Sequence, residues 1–90
     1  MAEAARWYES HGVGLGTAFL EAVDSAVVRV AETPQLGGPV PGVDDASIRR
    51  RPVQRFPYHL VYLELPDRIQ VLAIAHDRRR PGYWVGRLPV

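Results

Sequence analysis

Apolar residues recur at steps of three and four from Leu15 to Val30: Leu15, Ala18, Phe19, Ala22, Val23, Ala26, Val27 and Val30. That spacing puts them on one side of a 3.6-residue period and predicts a helix over 15–32 with a single broad buried stripe. Glu21, Asp24, Ser25, Arg29 and Glu32 fall on the opposite side. Pro34 ends the helix, since it lacks a backbone donor and its ring clashes with the preceding turn. Residues 2–10 read as a shorter helix with Ala4, Ala5 and Tyr8 on one side, ending at His11-Gly12. The glycine-dense link Gly12-Val13-Gly14-Leu15-Gly16 suits a tight reversal, so the first two elements form a helical hairpin.

Beyond Pro34 the period changes. Residues 35–46, with Gly37, Gly38, Pro39, Pro41 and Gly42, have no periodicity and read as a crossover loop. Residues 47–53 then read as a strand that carries three consecutive arginines, with Pro52 marking an edge position or the strand's end. Residues 58–65 and 68–76 alternate in the two-residue period of strands, and Pro66-Asp67 between them is a turn dipeptide. Helices followed by strands give an α+β domain: a helical hairpin packed on a small antiparallel sheet. Ninety residues support one domain, spanning 1–90.

Composition narrows the chemistry. The absence of cysteine removes disulfides, thiolate nucleophiles and Cys-ligated metal sites. Glu3, Arg6 and Glu9 interrupt the opening stretch where a secretory signal would be apolar. The longest aliphatic run, 71–75, is too short to cross a bilayer, so the expectation is a soluble cytoplasmic protein with no membrane partner. The formal net charge is +1, and every basic residue is arginine. Acids gather before position 46 while most arginines follow it, which makes the second half a basic surface.

Among catalytic patterns, no serine sits in an elbow motif and no Ser/His/Asp spacing is recognisable. His11, His59 and His76 are far apart, none has a partner at helical ligand spacing, and no metal or cofactor is expected. The glycine-dense link has neither the preceding strand nor the Gly-Lys-Ser/Thr ending of a phosphate loop. What remains is Arg78-Arg79-Arg80 beside His76, followed by Tyr83 and Trp84. Guanidinium groups with exposed rings can neutralise a phosphodiester and stack a base. The same arginines can also simply solvate the tail while the two rings dock on the sheet. For Arg49, Arg50 and Arg51, alternation puts neighbours on opposite faces, so all three cannot serve one site.

The stretches AARWYES, GLGTAFLEAVDSAVVRVAETPQLG, IRRRPVQRFPYHLVYLEL and IQVLAIAHDRRRPGYW together resemble the RelE/ParE superfamily of type II toxins, the plasmid-stabilisation proteins. The resemblance covers nearly the whole chain. It implies a toxin neutralised by a cognate antitoxin, with a helical hairpin on an antiparallel sheet. Family members usually begin with a strand before the first helix, whereas this sequence starts at the helix. The resemblance thus implies an open sheet edge for an antitoxin or a second copy to fill.

Within the superfamily, RelE-like members cleave mRNA on the ribosome and ParE-like members inhibit DNA gyrase. By position, Arg51 and Arg55 resemble the basic strand residues of the nucleases, and Arg79 or Arg80 with Tyr83 the C-terminal catalytic pair. Arg49, Arg51, Arg55, His76, Arg78 and Trp84 are the candidates for binding an antitoxin or target. Three functions follow: gyrase inhibition, ribosome-dependent RNA cleavage, or antitoxin binding without toxicity. Near-neutral charge and the lack of lysine favour the inhibitor, because affinity for nucleic acid rests on phosphate neutralisation. The Arg-rich ending with His76 and Tyr83 favours the nuclease.

Overall fold

The fold is taken from a computed structural model that describes residues 2–78. Helix α1 covers Ala2–His11 and helix α2 covers Leu15–Glu32. The reversal between them is closed from α1. The Glu9 carboxylate accepts the backbone N–H of Gly16 at 3.0 Å and of Gly14 at 3.1 Å, satisfying donors that the start of α2 leaves open. Gly14 has φ 87°, a left-handed geometry for which glycine carries little penalty. A side chain at Gly16 would bring a Cβ to 2.6 Å from the Ala5 carbonyl oxygen, so the missing methyl is what lets the helices touch.

At the other end of α2, the Thr33 N–H and Oγ1 both donate to the Arg29 carbonyl at 3.0 Å. A 3-10 turn at Pro34–Leu36 leads to a two-residue strand β1, Gly38–Pro39, which lies in the expected crossover loop. Strands β2 (Ile48–Pro52), β3 (Tyr58–Glu64) and β4 (Ile69–His76) follow as expected, all antiparallel in the order β1-β2-β3-β4. Pro52 closes β2, where its missing donor costs no ladder bond. The register steps from Val61↔Ala73 to Tyr62↔Val71, which leaves Leu72 as a bulge in β4.

Both faces of the sheet are covered. On the helix side, Leu60, Tyr62 and Val53 pack with Phe19, Val23, Ala26 and Val30, and Ala4, Ala5 and Tyr8 of α1 close the edge of that core. On the other side, Ile48, Val61, Leu63, Leu72 and Ala73 gather under Val40 from the crossover segment, a second small core that the alternation alone did not announce. The buried stripe of α2 is narrower than its periodicity predicts. Leu15 and Val27 are each 39% exposed, because one sheet face and one short helix cover only the line through Gly16, Phe19, Val23, Ala26 and Val30. No helix among the described residues is long and apolar enough to cross a membrane.

Candidate functional site

The three arginines of β2 divide as alternation requires. Arg49 and Arg51 turn toward the helix side, and Arg50 to the opposite face. Arg51 Nη1 donates to the Arg29 carbonyl at 3.0 Å and to Thr33 Oγ1 at 3.1 Å, which places its charge at the negative end of the α2 dipole. Arg49 Nη1 donates to the carbonyls of Gln35 (3.0 Å) and Gly37 (3.2 Å), and its buried Nε lies 3.5 Å from Glu64 Oε1. These two guanidinium groups fasten α2 and the 3-10 turn to the sheet. Hydrogen bonds to a charged donor contribute about 1.5–3 kcal/mol, so Arg51→Met is expected to lower stability by that amount. Arg50→Met, away from these carbonyls, should stay within about 0.5 kcal/mol of the parent in urea denaturation.

Arg50 instead joins His59 and Asp77 at a cavity of about 680 Å³, walled by Pro39, Pro41 and Pro52. The side chain of His59 is 15% exposed, and its Nδ1 lies 2.9 Å from Asp77 Oδ1. The carboxylate can only accept, so Nδ1 carries the proton there, and in the neutral ring Nε2 is left as an acceptor. The site is therefore an oriented imidazole beside a guanidinium, between rigid apolar walls. Such a pair can hold a phosphate or carboxylate, or relay a proton. No group of three or more His, Asp or Glu side chains with metal-holding geometry occurs among the described residues.

The residues singled out from sequence do not all meet here. Arg49 and Arg51 are occupied internally. Arg55 stands in the β2–β3 turn with φ 74°, beside Glu21 and Ser25 on the outer flank of α2. His76 lies on the helix side, edge-on to Tyr58, with its Nδ1 accepting the Arg78 N–H at 3.0 Å. Arg78 is exposed in the turn that follows β4. Arg79, Arg80, Tyr83 and Trp84 lie outside the described residues. The sequence reading missed Arg50, His59 and Asp77 as a group. The signal was there in the strand register: Pro52 pairs with His59 and Arg50 with Val61, so Arg50 and His59 are diagonal neighbours on one face.

Compared with known families, residues 1–81 match the model of the ParE toxin of type II toxin-antitoxin system, parDE. The chain belongs to the ParE toxin family. It is thus a toxin of the type II class, whose members are paired with an antitoxin, and the two helices followed by an antiparallel sheet agree with that assignment. The ParE match runs through the arginine run and stops short of Tyr83 and Trp84. Neither the curated proteins nor the solved structures contain a significant match to the chain.

Proposed function

We propose that this ParE-family toxin arrests growth by inhibiting DNA gyrase in the cytoplasm and is silenced by a cognate antitoxin that docks on its sheet, as in a plasmid-stabilisation module. The observation that carries the reading, beside the family, is the inward commitment of Arg49 and Arg51. With two of three β2 arginines bound to carbonyls of the same chain and a net charge of +1, the sheet offers less to a nucleic-acid backbone than its arginine count suggests. A protein target asks for shape and a few placed charges instead.

For the antitoxin, β4 is the favoured edge. The other side of the sheet ends in Gly38–Pro39 and Pro52, where a two-residue strand and the missing donors of proline discourage pairing. The outer edge of the eight-residue β4 pairs with no strand among the described residues, and Val71 on it is 44% exposed. An extended antitoxin segment would complete the ladder there, and a second copy of the toxin would compete for the same edge.

The second reading, RNA cleavage on the ribosome, is favoured by the His59–Asp77 pair beside Arg50. Arg79, Arg80 and Tyr83 would be catalytic only under that reading. Expression of the toxin alone separates the two. The expected result is a DNA-damage response with translation intact, and Tyr83→Phe, which keeps the ring and loses the hydroxyl, retains most of the toxicity. Translation arrest abolished by Tyr83→Phe would reverse the order.

A further inference from the structure

A second cavity, of about 670 Å³, opens on the helix side of the sheet between α1 and the paired ends of β3 and β4. Its walls are Trp7, Tyr8, Tyr58 and His76, and Glu3 stands among them. Trp7 is 57% exposed, which is unusual for so large an apolar ring, yet it is held in place. It stacks on His11 at 4.0 Å with the planes 28° apart, and Tyr8 meets it edge-on at 5.1 Å. His11 is itself anchored, its Nδ1 lying 2.8 Å from the Trp7 carbonyl oxygen. Tyr58 is fixed by edge contacts to Phe19 at 5.0 Å and to His76 at 5.0 Å. The indole and phenol rings are therefore in place before anything binds.

We propose that this cleft takes a cationic side chain, an arginine presented by a partner protein. Aromatic faces carry negative electrostatic potential and attract a guanidinium laid over them. Glu3 supplies the matching charge, and none of the arginines among the described residues lines the cavity. An acidic group would meet Glu3 as a like charge. A wholly apolar occupant would cover that carboxylate without giving it a partner. Arginine satisfies both features, since its planar group stacks on a ring and its N–H fork bonds a carboxylate. The proposal concerns a surface separate from the Arg50–His59 cavity and does not depend on the identity of the toxin's target.

The test uses the full-length chain carrying Trp84→Phe, so that Trp7 is the sole indole reporter. Three acetylated, amidated tripeptides serve as probes, with arginine, citrulline or leucine between two glycines; citrulline keeps the shape of arginine without its charge. The arginine peptide should change Trp7 fluorescence saturably in the millimolar range, about tenfold more tightly than the citrulline peptide. Glu3→Gln, at an exposed position, should weaken the arginine peptide about three- to tenfold and leave citrulline unchanged. Equal binding of the citrulline or leucine peptide would overturn the proposal, as would the absence of a saturable response to arginine or an arginine affinity indifferent to Glu3→Gln.

Discussion

Replacing Phe19 with alanine should remove about 3–5 kcal/mol of stability, the range for a large aromatic deleted from a packed core. Phe19 is fully buried, and its ring contacts Tyr8, Phe56 and Tyr58 at centroid distances of 5.2, 5.3 and 5.0 Å. It is therefore the point at which α1, α2 and the β2–β3 turn share one cluster. A domain of this length has about 5–13 kcal/mol in all, so the variant should melt roughly 15–30 °C lower or fail to accumulate. Phe19→Leu, which refills most of the volume but keeps no ring contacts, should recover more than half of the loss. Thermal melts of the three proteins check this, and a Phe19→Ala protein melting within a few degrees of the parent would mean that the helices do not rest on the sheet as described.

Gly37→Ala should be nearly as damaging, at about 2–3 kcal/mol, for a different reason. The backbone at Gly37, with φ −67° and ψ 143°, is open to any residue, so glycine is demanded there by space. An added Cβ would overlap the Tyr62 hydroxyl and stand 2.8 Å from the Tyr62 ring carbon Cζ and 2.9 Å from Arg49 Cβ. Tyr62 cannot swing aside. It is fully buried, its hydroxyl donates to the Pro34 carbonyl at 2.5 Å, and burial raises its phenol pKa above the ordinary value. The neighbouring Gly38→Ala, whose Cβ would meet nothing within 4 Å, is the control and should be close to neutral. Combining Gly37→Ala with Tyr62→Phe should recover part of the loss, a non-additivity expected of groups in direct contact. Urea midpoints of the parent, Gly37→Ala, Tyr62→Phe and the double variant measure it, with Gly38→Ala beside them.

The helices were legible because their signals are local. A four-residue repeat of apolar positions, a glycine link and a proline stop are written within the segment they shape, and α2 runs over the predicted 15–32. The three long strands were legible for the same reason, through alternation and the Pro66-Asp67 turn. Strand β1 was not, since Gly38 and Pro39 have no strand character of their own and are held in line by pairing with Arg50 and Arg49. The division of the arginines was legible from alternation, but the use of Arg49 and Arg51 depends on carbonyls 12 to 22 residues earlier in the chain, which only the packed fold brings near. The same holds for His59 and Asp77, which meet across 18 residues. Arg50 was hidden among its neighbours: the resemblance drew attention to Arg51 and Arg55, whereas Arg50 is the β2 arginine that lines a cavity together with His59.

The central claim, gyrase inhibition by an antitoxin-controlled ParE-family toxin, meets its most direct test in a supercoiling assay with purified full-length chain. The same protein is tested in parallel on mRNA engaged by translating ribosomes. The account predicts loss of gyrase-dependent supercoiling, restored by the cognate antitoxin, with the mRNA intact. Ribosome-dependent cleavage that disappears with His59→Ala or Tyr83→Phe, while supercoiling proceeds unimpeded, would contradict it.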